Sequence, residues 1–385
     1  MRANPGGQVA PEEVIGRDRL IQRLWDILDR QSLVLSAERR MGKTCVIKKM
    51  EAEAPADKWP IYHDLEEVRS PLEFVETLWE RVEKYLGGLR RTARRTRQLL
   101  TQLGGAEFSG FKFPSVAAPH WKTLLTRTIE DLVENKDRTV ILFWDEVPYM
   151  LGNIGDEAAM EVLDTLRSIR QTYPEIRMVF TGSIGLHHAI GSLRLAGYAN
   201  APTNDMYIED VPPLSPTDAT ELARQLLEGE NISTPDLQIT SADIAQAVDN
   251  IPFYIHHVVE QLKSRGGVIS AATVTEIVNS SLTDPLSRWD MVHYRTRIDT
   301  YYNDEKRPYA LNLLDSLAVT NQPLSFNELF DNLKSNPTIQ DREIALTVIT
   351  LLQRDYYIVQ ENSGKFIFRY PLIKRYWQLT RGLTA

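Results

Sequence analysis

One eight-residue stretch limits what this chain can fold into more than any other: Ala37-Glu38-Arg39-Arg40-Met41-Gly42-Lys43-Thr44. It follows the short apolar run Ser32 to Ala37 and precedes a helical stretch, the signature of a buried strand feeding a helix. The stretch matches the phosphate-loop pattern G-x-x-x-x-G-K-[ST], with Ala37 in place of the first glycine. The chemistry needs this spacing. Successive backbone N–H groups and a helix amino terminus face the phosphates, lysine supplies a point charge at the β and γ positions, and the hydroxyl ligates Mg²⁺. The expected cofactor-binding set is therefore Arg40, Met41, Gly42, Lys43, Thr44 and Cys45, with Lys43 also catalytic and Thr44 also a metal ligand. The Cys45 side chain itself reads as a small packing residue.

Further apolar runs at Pro60 to Leu65, Thr139 to Trp144, Arg177 to Thr181 and Met206 to Val211 are separated by amphipathic stretches such as Ala158 to Ile169. Strands alternating with helices predict an α/β fold, a P-loop NTPase with a parallel sheet covered on both faces. A helix is expected on the apolar face of Val14 to Leu28. An insertion of about residues 82–120 separates the second and third strands, and its alternation at Phe108, Phe111 and Phe113 around Gly110 predicts a small hairpin. Beyond Pro216 the pattern turns helical, at Ala219 to Leu227, Ser241 to Val248, Tyr254 to Lys263 and Ala271 to Val278. Three more helices, Tyr309 to Val319, Ser325 to Leu333 and Arg342 to Arg354, precede two strand-like runs flanking Asn362-Ser363-Gly364, which predicts a winged helix. The expected organisation is a flexible tail (1–13), the P-loop core (14–214), a helical lid domain (215–285) and a carboxyl-terminal winged-helix domain (286–385).

Two further elements extend the site. Asp145-Glu146 ends the third apolar run, so a buried strand delivers both carboxylates to its carboxyl end. There Asp145 can hold Mg²⁺ and Glu146 can polarise the attacking water. Thr181-Gly182-Ser183 ends the next run; Ser183, or Thr181, is the expected polar contact to the γ-phosphate or the water. His187-His188 and His256-His257 are adjacent pairs, and neighbours on a helix diverge by about 100°, so neither pair can share a metal on one helical face.

Composition narrows the function classes. The single cysteine, Cys45, excludes an intramolecular disulfide and a multi-cysteine metal cluster and suits a reducing compartment. No apolar stretch approaches the roughly 18 residues that span a bilayer, and the first residues lack a signal-peptide run, so a soluble, cytoplasmic protein without a membrane partner is expected. Forty-four basic against 52 acidic residues, a net −8, argue against a cation-coated nucleic-acid binder. The charge is uneven, however: from Arg288 onward 13 basic and 11 acidic residues give +2, leaving −10 for the rest. Lys365, Arg369, Lys374, Arg375 and Arg381 form a basic carboxyl-terminal block, the first four of them showing no obvious pairing with nearby acids, and a second cluster is Arg90, Arg91, Arg94, Arg95 and Arg97. Double-stranded DNA on the winged helix, a protein partner and a homo-oligomer all stay open as partners.

The combination Val14-Ile15-Gly16-Arg17-Asp18, Glu38 to Thr44, Phe143-Trp144-Asp145-Glu146 and Thr181-Gly182-Ser183 resembles the STAND-class P-loop ATPases. Within them it is similar to the predominantly archaeal and bacterial, AAA-like family with a Gly-Arg-Glu leading motif and an Arg-Arg-x-Gly-Lys-Thr loop. Pro213-Leu214-Ser215 and Asn250-Ile251-Pro252 extend the resemblance, which covers about three-quarters of the chain. It implies that Ile15 and Gly16 line an adenine pocket and that Pro252 packs near the adenine. It also implies ATP or ADP with Mg²⁺ as cofactors and a slow or partner-stimulated ATPase. Asp18 stands where Glu is usual, and Asn250 replaces a glycine, which its tolerance of left-handed backbone angles permits. The expected function is an ATP-driven switch coupling nucleotide state to the winged helix; the alternative is a DNA-binding regulator, initiator-like, in which nucleotide is mainly structural.

Overall fold

The computed structural model describes residues 1–88, 94–104, 113, 115–134, 138–182, 185–267, 269–334 and 339–383. Contacts divide the chain into two units: a sheet unit of Ala10–Ala37 and Gly42–Val211, and a carboxyl-terminal unit of Met1–Val9, Glu38–Met41 and Pro212–Ala385.

The sheet unit runs α1 (Asp18–Leu28), β1 (Leu33–Ser36), α2 (Lys43–Ala52), β2 (Lys58–Asp64), α3 (Pro71–Gly88), α4 (Arg94–Gly104), α5 (Trp121–Glu134), β3 (Thr139–Asp145), α6 (Val147–Ile154), α7 (Asp156–Thr172), β4 (Ile176–Thr181), α8 (Leu186–Leu195) and β5 (Tyr207–Asp210). All five strands are parallel, in the order β2-β3-β4-β1-β5. β3 is buried from Val140 through Asp145, as an interior strand with helices on both faces must be. Each such Val, Leu, Ile or Phe contributes roughly 1.5–3 kcal/mol of burial. The Trp144 ring stacks on Phe180 of β4 at 5.7 Å and meets Phe74 of α3 edge-on at 5.2 Å, which fixes the end of β3. β5 departs from the buried strand expected there: it is the sheet edge, and Ile208 is 65% exposed.

The described part of the insertion is helical. Buried Asp131 of α5 accepts hydrogen bonds from the N–H groups of Arg95 and Thr96 (3.0 and 2.9 Å) and from the Thr96 hydroxyl (2.8 Å), so it anchors the start of α4. Arg95 pairs with Glu130 and Glu134, and Arg97 with Glu83. Arg90, Arg91, Phe108, Gly110 and Phe111 lie outside the described residues, and Phe113 is buried.

The carboxyl-terminal unit holds α9 (Pro216–Gly229), α10 (Leu237–Ala247), α11 (Pro252–Arg265), α12 (Ala271–Thr283), α13 (Val292–Tyr301), α14 (Lys306–Ala318), α15 (Phe326–Leu333), α16 (Arg342–Arg354), β6 (Ile358–Gln360), β7 (Phe366–Phe368) and α17 (Pro371–Arg381). Its helix starts are written locally: Ser215, Asp236, Ser270, Ser325 and Asp341 each accept from backbone N–H groups of the first turn. Three helices, α14 to α16, lead into the antiparallel β6–β7 hairpin, as expected, and Leu324 adds a bridge to Phe366. The buried face of α16 is Ala345, Val348, Ile349 and Leu352. Apolar residues occupy so wide an arc there that periodicity alone does not choose a face; packing against α14 does. The region beyond 285 is joined to the helices before it, since Leu372 N–H donates to Asp249 at 2.7 Å and Arg375 donates to Asn279.

The amino-terminal residues are not the free tail expected of them. Ala3 N–H donates to Glu230 and Asn4 N–H to His256 Nδ1, which ties Met1–Val9 to the carboxyl-terminal unit. Gly/Pro-rich composition signals irregular backbone, and such backbone can still be held by hydrogen bonds to distant side chains.

Candidate active site

β3, β4 and β1 are neighbours in a parallel sheet, so their carboxyl ends lie side by side, where ligands of open α/β sheets bind. β1 delivers Lys43 and Thr44 through the loop, β3 delivers Asp145, and β4 delivers Thr181. Gly42 (φ +86°) turns the chain into α2, putting Lys43 and Thr44 in its first turn, at the positive end of the helix dipole. Lys43 is buried, and its Nζ donates to the Ala37 carbonyl at 3.0 Å, spanning the loop.

Asp145 is the hub. Its Oδ2 accepts from the Thr44 hydroxyl (2.9 Å) and the Tyr62 hydroxyl (3.2 Å); its Oδ1 accepts from the Thr181 hydroxyl (2.8 Å) and the Glu146 N–H (3.1 Å). The carboxylate is only 3% exposed, yet every one of these donors is neutral. A buried carboxylate ringed by neutral donors keeps its charge for a cation. Burial, and then the nearby Asp145 charge, push the Tyr62 phenol up, so it stays a proton donor. Glu146 follows with φ +57°, a left-handed angle unusual outside glycine, and turns the chain from β3 into α6.

The donor set fits Mg²⁺: a hydroxyl oxygen and a carboxylate oxygen, both hard ligands, already 2.9 Å apart. Of the other expected residues, Ile15 and Gly16 precede α1, with Gly16 at φ +69°. Cys45 is half-buried on α2. Met41 is buried; Arg40 has φ +72°, and its guanidinium lies 4.0 Å over the Phe253 ring. Pro252 opens α11 after Asn250, whose φ of +59° is the left-handed angle anticipated for it. Ser183 lies outside the described residues, and Thr181 holds Asp145.

Sequence reading missed two participants. Tyr62 carries no motif; it reaches Asp145 because β2 pairs with β3 in a register that sets Asp64 opposite Asp145, and Tyr62 is two residues away on the same face. Glu38 sits inside the loop pattern at an unconstrained position, and its partner Arg297 is 259 residues away. Arg297 Nη2 donates to Glu38 Oε1 at 2.8 Å and Nη1 to Oε2 at 2.9 Å. Burial pushes the Glu38 carboxyl up, but the Arg297 charge overcomes it and holds the group at about 2.

The cations near the carboxyl terminus are engaged, and Lys365 faces an acidic group that the sequence reading did not give it. Arg381 takes both oxygens of Asp315 (2.6 and 3.0 Å), and Lys365 lies 3.8 Å from Glu328. Lys374 donates to the Thr320 carbonyl and Asn321, and Arg369 covers the Tyr356 ring at 4.6 Å. Sequence distance hid these partners: Asp315 lies 66 residues from Arg381.

Among solved structures, the Walker-type ATPase of Pyrococcus abyssi is similar to this chain with a TM-score of 0.68 at 15% identity, over 98% of this chain and 100% of that one. The fold is that of a P-loop ATPase. Two Aeropyrum pernix proteins are more distant: ORC2 in its ADP form (TM-score 0.47, 12% identity, 98% of this chain and 96% of that one) and ORC1 in complex with DNA (0.41, 15%, 96% and 93%). At that level they carry no argument about this chain. No family model matches the sequence, and no curated protein matches it. Among the described residues no helix is long and apolar enough to cross a membrane.

Proposed function

We propose that this chain binds and hydrolyses ATP as a STAND-class switch, coupling nucleotide state to a carboxyl-terminal winged helix that docks a protein partner. The observation that carries the reading is the 2.9 Å contact between Thr44 and Asp145, which joins the loop hydroxyl to the strand-end carboxylate. The likeness in fold to a protein described as a Walker-type ATPase supports it. Lys43 and the amino terminus of α2 hold the phosphates. Thr44 and Asp145 would hold Mg²⁺, which when bound draws charge from the β- and γ-phosphate oxygens. Thr181 and Tyr62 keep Asp145 from turning away. Glu146, next to the hub, accepts a proton from water as its oxygen attacks the γ-phosphorus; the β–γ bond breaks, leaving ADP and inorganic phosphate. Ile15, Gly16 and Pro252 are proposed for the adenine.

Docking is favoured over DNA because Lys365 and Arg381 already face the carboxylates of Glu328 and Asp315, which lowers the charge available to phosphates. Calorimetric titration of ATP and Mg²⁺ into wild type and Lys43→Ala tests the site: wild type binds and the variant does not, and equal affinity would overturn the assignment. Thr44→Ala should weaken binding with Mg²⁺ more than binding without it. Fluorescence anisotropy with labelled duplex tests docking. Saturable, salt-dependent binding whose log–log slope falls by about 2 on replacing Lys365 and Arg369 with Ala would put the DNA-binding regulator in its place.

A further inference from the structure

Three successive residues of the phosphate loop are held by one short stretch of the chain more than 240 residues later. Arg297 of α13 grips both oxygens of Glu38; Arg39 Nη1 lies 3.2 Å from Asp290; Arg40 Nη2 donates to the Arg288 carbonyl at 3.3 Å. All of these residues belong to the carboxyl-terminal unit. The Glu38 carboxylate also accepts from the backbone N–H of Arg39 at 2.7 Å, so the clamp sets the loop's own backbone. The Glu38 side chain has no solvent exposure. The Arg297 guanidinium lies 5.6 and 5.7 Å from the Tyr294 and Tyr357 ring centres and also donates from Nη1 to the Asp355 carbonyl at 2.8 Å. His293 Nε2 stands 3.7 Å from Glu38 Oε1.

A buried carboxylate is an odd residue to place in a loop that takes a polyanion, because like charges in poorly solvated surroundings repel strongly. The arrangement makes sense if the carboxylate never acts as a free charge. We propose that Arg297 is a positioning residue for nucleotide binding: it neutralises Glu38 and, through it, fixes the Arg39 backbone in the shape that receives phosphates. The proposal rests on the nucleotide reading of the loop. It makes α13, which no sequence motif marks, part of the apparatus that sets ATP affinity.

The charge of the nucleotide separates this role from a merely structural one. Dissociation constants for ATP, ADP and AMP are measured with Mg²⁺ for wild type, Arg297→Gln, Glu38→Gln and the double variant, with thermal melts alongside. Arg297→Gln uncovers the Glu38 charge and should weaken ATP by about 30-fold, ADP less and AMP least. Glu38→Gln keeps an oxygen for the Arg39 N–H but loses the ion pair, so it should weaken ATP less than Arg297→Gln does, and the double variant should recover most of the charge-dependent loss, since it carries no uncovered carboxylate. Arg297→Gln binding ATP like wild type, or losing all three nucleotides equally without recovery in the double variant, would overturn the proposal. Should Arg297→Gln fail to fold, Arg297→Lys decides, since it keeps a cation but not the two-bond grip: ATP weakened more than ADP and AMP supports the clamp, and affinities equal to wild type refute it. Wild type that binds no nucleotide would sink the nucleotide reading and the clamp together; unaffected variants beside a binding wild type would sink the clamp alone.

Discussion

Two buried carboxylates, one in each unit, are held in opposite ways. Asp145 is surrounded by hydroxyls of Thr44, Tyr62 and Thr181 and one backbone N–H, all neutral. Glu38 is gripped by a guanidinium through two bonds. Neutral donors orient a carboxylate without cancelling its charge, so Asp145 can still take a cation; an arginine cancels the charge, so Glu38 can only fasten. Burial alone therefore does not distinguish a site from a fastener. The charge of the donors does.

The comparison breaks most sharply at Asp145. Asp145→Asn keeps the shape and deletes the charge, so steady-state phosphate release should fall by about 10³ while the melting temperature barely moves. Glu38→Gln should do the reverse, leaving an unpaired buried arginine that costs about 3–5 kcal/mol in chemical denaturation with a much smaller loss of turnover. If Asp145→Asn instead unfolds the chain at full specific activity, the two roles are assigned the wrong way round.

Glu146→Gln comes next. ATP should still bind by calorimetry, while turnover drops by about 10² for want of a proton acceptor. Unchanged turnover would move the base elsewhere.

A third contrast uses pH. Burial, and then the nearby Arg81 charge, hold His63, inside the sheet unit, down at about 3, while burial holds His256 of the carboxyl-terminal unit at about 4. Each folded value lies below the ordinary one, so the unfolded chain binds the extra proton. Stability is then complete above about pH 6.5 and is lost as pH falls toward the folded values. Between pH 6.5 and 4.5 His63 should account for about 2–3 kcal/mol, at 1.36 kcal/mol per unit. His63→Leu should flatten that limb of the denaturation curve, and an unchanged slope would mean the imidazole is solvated. The smallest effect belongs to Tyr62→Phe, which removes one of four bonds to Asp145 and should lower turnover only several-fold.

These variants also mark how far the sequence could be read. The positions of Lys43, Thr44, Asp145 and Glu146 were legible because each lies within a contiguous pattern that ends a buried strand, and local order dictates where such side chains emerge. Tyr62 was not, because its place depends on which strand β2 pairs with. Thr181 was found as a strand-end residue, but its bond to Asp145, unlike the expected reach toward phosphate, required β4 beside β3.

Local chemistry wrote the elements themselves. Apolar runs of four to seven residues made strands, Ser and Asp caps started several helices of the carboxyl-terminal unit, and the lysine-threonine step after Gly42 placed both side chains in one helical turn. These rest on interactions spanning a few residues, which the order of amino acids specifies directly. The tertiary structure decided what each element met: the strand order that joins three strand ends, the exposed edge given to β5, the chosen face of α16, and the arginine 259 residues away that closes on Glu38. Such contacts are fixed by packing and by the need to satisfy every buried charge, and no local window of sequence contains both partners.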